Sequence, residues 1–251
     1  MLQLLNKIYK KQQFDPSIIS WFINPFYFVR KRIYNSVKSN ALALNGKLLD
    51  FGCGRKPYKE LFNTTHYIGL DIEQEGHDHT DEPIDVFYDG KTIPFPNNYF
   101  DSCFSSQVFE HVFELNHSIK EIHRVLKPGG KALFIVPFVW DEHEIPYDFA
   151  RYSSFGLKYI LEKHQFKIIK HEKDSHFFEV LIQLWCLYLY NLLDTKNKYG
   201  NILITLVFIS PFTLLGCILK IIFPRIRSLY FNNVYLVEKI NNTNLDKGKP
   251  N

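Results

Sequence analysis

Cysteine is scarce in this chain of 251 residues: Cys53, Cys103, Cys186 and Cys217 lie far apart and form no Cys-x-x-Cys pair. That pattern excludes a disulfide framework and the usual zinc spacings, and it suits a reducing cytosol. A long apolar N-terminal run is also missing, because Leu2 to Leu5 gives way at once to Lys7, Lys10 and Lys11. The reading is therefore no signal peptide and no export. Charge of one sign is in short supply too, with 30 Lys and Arg against 26 Asp and Glu, a net of +4. Without a Lys/Arg stripe interleaved with aromatics, a nucleic-acid partner is not expected. No internal repeat or low-complexity tract is visible. The 46% apolar content suits one sizeable globular domain with decoration, and disorder only at the ends.

What is present is an alternation of apolar strands and helical stretches from Gly46 onward, the signal of a parallel sheet with crossovers. Candidate strands are Lys47 to Phe51, Tyr67 to Ile72, Ile84 to Tyr88, Phe100 to Ser105, Lys131 to Val136, Phe166 to His171 and Asn233 to Lys239. Ser118, Ile119, Ile122, Val125 and Leu126 recur at helical spacing, and Lys127-Pro128-Gly129-Gly130 reads as the helix stop. Residues 1 to about 45 read as helical, with aromatics interleaved with Arg30, Lys31 and Arg32, either a cap over the site or an interfacial helix.

The first strand runs into Asp50-Phe51-Gly52-Cys53-Gly54, a turn that lets backbone pass close to a ligand where a Cβ would collide. About twenty residues later a second strand ends in Asp71, the position that binds a ribose in doubly wound folds. A dehydrogenase fingerprint is incomplete, since Arg55-Lys56-Pro57 follows Gly54 and supplies no third glycine. Further along come Asp89-Gly90, Ile93-Pro94-Phe95-Pro96, Tyr99-Phe100-Asp101, Val108-Phe109-Glu110-His111-Val112 and Leu126-Lys127-Pro128-Gly129-Gly130. Over residues 46 to 175 this ordered series resembles the class I S-adenosylmethionine-dependent methyltransferases, in the group that pairs a D-x-G-C-G loop with L-P-F and L-K-P-G-G segments.

The resemblance implies a Rossmann-like, doubly wound α/β sheet, mostly parallel with an antiparallel last strand, and S-adenosyl-L-methionine as cofactor. It places Asp50, Gly52, Cys53 and Gly54 around the methionine part, Cys53 through backbone alone. Asp71 then takes the ribose hydroxyls, Ile72 packs on the adenine, Asp89 with Gly90 reads the adenine amino group, and Ser106 with Gln107 meets the aminocarboxypropyl end. Each of these has a structural alternative, because Asp and Gly after a strand are common turn residues. The His77-Asp78-His79 and Asp81-Glu82 cluster reads as a solvated acidic loop, and no metal is expected. His111 beside Glu110 is read as packing and hydrogen bonding rather than chemistry.

Methyl transfer from a sulfonium is an in-line displacement that chiefly needs alignment. A hydroxyl acceptor also benefits from a base. The segment after the fifth strand, residues 137 to 152, leaves the sheet edge where ligands bind in open α/β folds. Its His-x-x-Pro-Tyr-Asp-Phe-x-Arg-Tyr motif resembles one in bacterial methyltransferases encoded alongside surface-polysaccharide genes. His143 is the candidate base, oriented by Asp148, while Trp140, Tyr147 and Arg151 are candidate acceptor contacts, Arg151 holding either an anionic group or the loop itself. The alternative is that these residues only knit the loop to the sheet.

The C-terminal third departs from a plain methyltransferase. Phe177 to Leu193 is apolar with Glu179 as its one charge, and Tyr199 to Leu219 carries none, though Pro211 and Gly216 interrupt it. Because the strands before and after belong to one sheet, the number of membrane crossings is even, zero or two. A helical hairpin turning near Asp194 to Lys198 and lying on or dipping into the cytoplasmic leaflet is expected, with burial against the domain or a partner subunit as the alternative. The domains read as an N-terminal helical cap (1–45), a methyltransferase domain (46–176 and 230–240), an apolar membrane-associated insertion (177–229) and a flexible tail (241–251). The expected acceptor is a sugar of a lipid-linked or surface glycan; a quinone or lipid precursor, or a catalytically silent cofactor-binding scaffold, are the alternatives. Location follows as the cytoplasmic side of the inner membrane, or the cytoplasm. Richness in Lys, Asn, Ile and Phe fits an AT-rich bacterial genome.

Overall fold

Leu48, Leu49 and Phe51 are apolar on both faces of a five-residue stretch, which only a strand covered on both sides can bury, and all three are fully enclosed. A computed structural model of the chain describes residues 2–73 and 82–240, with side chains from residue 8 onward and at Asn6. The His77-Asp78-His79 cluster with Asp81, and the expected tail from residue 241, lie outside the described residues. Among those described, seven strands form one sheet in the order β3-β2-β1-β4-β5-β7-β6. They are β1 (Lys47–Phe51), β2 (His66–Ile72), β3 (Val86–Tyr88), β4 (Phe100–Ser106), β5 (Leu126–Pro137), β6 (Phe166–Lys173) and β7 (Asn232–Lys239). β1 through β5 pair in parallel and one strand runs antiparallel, giving the mixed Rossmann-like sheet expected.

The chain falls into two units, Lys38–Glu172 with Asn233–Asn251, and Met1–Val37 with Lys173–Asn232. In the first unit, helix α4 (Leu115–Val125) buries Leu115, Ile119, Ile122 and Val125 along one stripe. Each side chain so enclosed stabilises by about 2 kcal/mol before entropy is counted. Helix α5 (Ser154–Lys163) is capped by Ser153, whose hydroxyl accepts the Gly156 N–H at 3.2 Å, and it buries Leu157 and Leu161. The expected helix stop at Lys127-Pro128-Gly129-Gly130 is corrected: α4 ends at Val125 and β5 begins at the next residue. Phe100 pairs with Leu126 but Ser102 pairs with Lys131, so the four residues bulge out of the ladder, with Gly129 at φ +75°.

The second unit is helical. α1 (Leu2–Phe14), α2 (Ser20–Ile23) and α3 (Tyr27–Asn40, which ends just past this unit) are followed in space by a hairpin of α6 (Phe177–Leu193) against α7 (Lys198–Ile204) and α8 (Ser210–Ile222). The turn over residues 194 to 197 stands where the sequence places it. Pro211 and Gly216 do not interrupt the second arm. Pro211 lacks the N–H a regular helix would use, and a π-helical turn at Thr205–Ile209 absorbs the mismatch and links α7 to α8. Gly216 admits the Phe28 ring, which would lie 2.7 Å from a Cβ there. Buried Gln183 joins hairpin to N-terminal helices: its Oε1 accepts the Phe28 N–H at 3.0 Å and its Nε2 donates to the Pro25 carbonyl at 2.8 Å. Buried Glu179 holds Arg32 at 2.6 Å, with Lys220 at 3.8 Å. At the base of the hairpin Asp174 accepts from the Asn232 backbone (3.0 Å) and side chain (2.6 Å).

Replacing Gln183 by Leu leaves a buried donor and a buried acceptor unpaired. Urea unfolding is expected to show a loss of about 2–4 kcal/mol, against under about 1 kcal/mol for Gln183→Glu measured at a pH where the carboxyl is protonated.

Candidate active site

β1 ends in a turn that the surrounding backbone dictates. The Gly52 and Cys53 N–H groups both donate to the Leu70 carbonyl of β2, at 2.9 and 3.1 Å. Gly52 sits at φ +73°, and a Cβ on it would lie 2.4 Å from the Val108 side chain, so no other residue fits. Gly54, at φ +42°, donates its N–H to Asp71 Oδ2 at 2.8 Å, while Asp71 Oδ1 accepts the Ile72 N–H at 2.9 Å. The carboxylate at the tip of β2 thereby clamps the glycine loop. At the tip of β3, exposed Asp89 accepts the Lys91 and Thr92 N–H groups at 2.9 and 3.0 Å, and these hold its carboxyl below the usual range. Gly90 (φ +75°) gives way to Ile72, whose Cδ1 would be 2.9 Å from a Cβ there. At the tip of β4 the Ser106 hydroxyl is buried with no hydrogen-bond partner among the described residues, and Gln107, at φ +59°, is tied to the Ile135 carbonyl through its backbone N–H at 2.9 Å. The cofactor residues expected from the sequence thus stand at the carboxyl ends of four adjacent strands.

Asp50, which the resemblance places around the methionine part, also has a partner within the sheet. Its side chain is buried and accepts the Tyr67 hydroxyl at 2.5 Å, bracing β1 against β2. Burial pushes its carboxyl up to about 7 against the opposing pull of that hydroxyl. Lys56, Asp85 and Tyr67 were not singled out from the sequence. Lys56 is buried at φ +50°, and its Nζ meets Asp85 Oδ2 at 2.5 Å, the same oxygen that accepts the Gly69 N–H at 2.6 Å. Gly69 was the available signal, since a glycine in mid-strand marks a close approach: a Cβ there would sit 2.1 Å from Lys56 Cε.

The segment after β5 folds back onto the turn that follows β4. The Glu110 carbonyl accepts the Phe149 N–H at 2.8 Å and the Ala150 N–H at 3.3 Å. Asp148 meets both the His143 N–H (3.0 Å) and His143 Nδ1 (3.2 Å), the pair expected from the motif. Arg151 grips Asp148 with both terminal nitrogens, Nη2 at 2.6 Å, and also donates to the Asp141 and Ala150 carbonyls. Of the two roles open to it, Arg151 is occupied by the loop. Burial raises the Asp148 carboxyl, but the guanidinium and the His143 N–H prevail and hold it at about 2. Trp140 and Tyr147 lie half-buried on the same segment. His111, set aside as packing, stands edge-on to His143 with ring centroids 4.8 Å apart, and its Nδ1 meets the Tyr147 carbonyl at 2.9 Å. Glu110 is fully buried, with neither carboxylate oxygen hydrogen-bonded among the described residues, and burial pushes its carboxyl up to about 8.

The Asp50 carboxyl carries a pH signature. Across pH about 4 to about 7 it is protonated in the folded chain and ionised in the unfolded one, so the folded state binds the extra proton and stability falls as pH rises, by up to about 1.4 kcal/mol per unit. Asp50→Asn is expected to flatten that slope in urea unfolding across the window, and Tyr67→Phe to carry it to higher pH.

Residues 49–134 match the family model described as a methyltransferase domain. A tRNA (carboxymethyluridine(34)-5-O)-methyltransferase from Schizosaccharomyces pombe is 33% identical over 105 residues, 40% of this chain and 44% of the relative. The UbiE ubiquinone/menaquinone biosynthesis C-methyltransferase of Chromobacterium violaceum is 32% identical over 90 residues, 35% of this chain and 34% of the relative. The chain thus spans less than half the length of the curated relatives it matches. Among solved structures, the [4+2]-cyclase SpnF superposes with a TM-score of 0.55 at 20% identity, covering 84% of this chain and 82% of that one. The Haemonchus contortus phosphoethanolamine N-methyltransferase 2 in complex with S-adenosyl-L-methionine does so at 0.52 and 17% identity, covering 92% and 59%. These structures share the fold. The segment that matches the methyltransferase-domain model runs from β1 to β5 and bears the glycine loop and the strand-end acids.

Proposed function

We propose that the chain transfers the methyl group of S-adenosylmethionine to a hydroxyl, on a sugar of a lipid-linked or surface glycan, at the cytoplasmic face of a membrane. The observation that carries this reading is the polar cluster of Glu110, His111, His143 and Asp148, which occupies the same sheet edge as the cofactor residues. Ser106, with its buried unpartnered hydroxyl, and the Gly52–Gly54 loop would meet the methionine part, and Asp71 and Asp89 the ribose and adenine. An in-line displacement asks the protein for alignment and for a sink for the hydroxyl proton. His143 is built for the second task, since Asp148 engages Nδ1 and leaves Nε2 for the acceptor.

The hairpin supports membrane contact. Lys198–Ile222 is long and apolar enough to cross a membrane by length and composition; an 18-residue window within it has a mean hydropathy of 2.5, and 33% of that window is buried. Trp185, Tyr188, Phe208, Ile218 and Ile221 are exposed on its arms. Its tip carries Asp194, Lys196 and Lys198, charges that hydrocarbon excludes, and its two ends are tied together at Asp174 and Asn232. An in-plane hairpin satisfies both facts: apolar sides in the leaflet, tip and base among the head groups. A quinone is the second acceptor this supports, as the UbiE relative acts in quinone biosynthesis and an apolar substrate also requires the membrane.

Labelled S-adenosylmethionine with glycan-lipid and quinone extracts tests the reading: label in the glycan-lipid fraction is expected, and label only in quinones would replace the acceptor. Gly52→Ala, strained at φ +73° and crowded by Val108, should weaken S-adenosylhomocysteine binding about tenfold or more in calorimetry, while thermal unfolding stays cooperative. The double change Ile218→Glu and Ile221→Glu is expected to abolish flotation with anionic vesicles and leave S-adenosylhomocysteine binding as it was. Flotation equal to that of the unaltered chain would sink the membrane placement.

A further inference from the structure

His111 and His143 are arranged as metal ligands are. In each ring Nδ1 faces an acceptor, the Tyr147 carbonyl at 2.9 Å for His111, and for His143 the Asp148 carboxylate and Asp141 carbonyl, both at 3.2 Å. An N–H at Nδ1 leaves Nε2 to face a cation, the outer-shell device that orients imidazole, and the Glu144 carboxylate also stands 3.6 Å from His111 Nε2. Near both lies Glu110, wholly enclosed, with both carboxylate oxygens lacking any hydrogen bond among the described residues. Burying a carboxylate without partners is costly, and such a group asks for a ligand. Its Oε1 is 3.8 Å from His111 Nε2, and one ligand atom from each of the three residues lies within 4.8 Å of the others. Bonds of about 2.0–2.2 Å put ligand atoms about 3.0–3.5 Å apart, so the widest separation closes by side-chain rotation of little more than about 1 Å.

We propose that Glu110, His111 and His143 bind a divalent first-row transition cation. Two imidazoles and one carboxylate suit manganese, iron or zinc rather than magnesium or calcium, which favour oxygen donors. Three protein ligands leave coordination positions open. Resting on the methyl-transfer reading above, this assigns those positions to the acceptor: a hydroxyl or vicinal diol binds the cation, its pKa falls, and its proton leaves to solvent. The oxygen lone pair then forms the bond to the methyl carbon, and the carbon–sulfur bond breaks with its electron pair staying on sulfur. S-adenosylhomocysteine and a methyl ether result. His143 becomes a ligand in this arrangement rather than the base, and Asp148 a positioning residue behind it.

Full-length protein stripped with a chelator and exchanged into chelator-free buffer is titrated with Mn2+, followed by the paramagnetic resonance of free Mn2+, and with Zn2+ by calorimetry. One equivalent per chain is expected. Glu110→Gln, His111→Gln and His143→Gln should each weaken binding about tenfold or more, and Asp148→Asn less. S-adenosylhomocysteine calorimetry on the same variants checks that each is folded. No stoichiometric binding of either cation, or binding unchanged in the three variants, overturns the proposal. Full labelled-methyl transfer by stripped protein that binds neither cation would overturn it too and leave the methyltransferase reading standing. Stoichiometric binding that the three variants abolish, with no transfer to any extract, upholds the cation site and removes the acceptor assigned to it.

Discussion

Two hydrogen bonds to one carbonyl organise this site. By accepting the N–H groups of both Gly52 and Cys53, Leu70 of β2 forces the chain leaving β1 to turn at once, and Val108 closes the space a side chain would need. Gly54 is then delivered to Asp71 on the same neighbouring strand. A parallel register with Asp50 opposite Gly69 and Phe51 opposite Leu70 is what puts these groups within reach. Slipping it by one residue would exchange the faces of β2 and withdraw both the carbonyl and the carboxylate. The register is itself held by Tyr67 on Asp50 and by the Lys56–Asp85 pair across Gly69, so buried polar groups specify a pairing that apolar contacts would leave less defined.

What was legible in the sequence follows from this division of labour. Strand interiors are legible because burial on both faces leaves continuous apolar runs, and the loop is legible because positive φ and close approach leave glycine as the residue. β1 therefore lies where the apolar run predicts it, and the hairpin arms end within three residues of the positions their composition marks. The junction after α4 was misread because Pro128-Gly129-Gly130 punctuates chain locally, whereas Leu126 is already claimed by Phe100 across the sheet. Pro211 was misread for the same kind of reason, since a π-helical turn accommodates it at a cost that packing offsets. Tyr67 and Lys56 were invisible as partners: a tyrosine in a strand and a lysine in a loop declare nothing about a carboxylate seventeen or twenty-nine residues away.

The acceptor side poses the opposite problem, for there the residues were conspicuous and their assignments were not. His143 and Asp148 meet as the motif suggests, yet Arg151 competes for the same carboxylate and takes the larger share of it. Asp148 is thus anchored as an anion whatever His143 does, which makes it a fixed electrostatic reference rather than a proton carrier. Glu110 sits at the other extreme, enclosed and unbonded. A protein that keeps a carboxyl in such a place loses stability unless a partner comes to it, and the two imidazoles stand within 4.8 Å of it.

That asymmetry links the two ends of the site. At the glycine-loop end Asp50, Asp71 and Asp89 have each found backbone N–H partners or a hydroxyl, so this end stands formed, as the proposed cofactor cradle requires. On the segment after β5 the Phe149 and Ala150 N–H groups donate to the Glu110 carbonyl, and Arg151 clasps Asp148 and the Asp141 carbonyl, bonds in which the Glu110 carboxylate takes no part. Loop backbone fixes position while Glu110, His111 and His143 retain unspent ligand atoms. Such a separation lets one scaffold keep its cofactor while acceptor chemistry changes by exchanging a few side chains on the segment after β5, and it is there, rather than in the glycine loop, that specificity has to be sought.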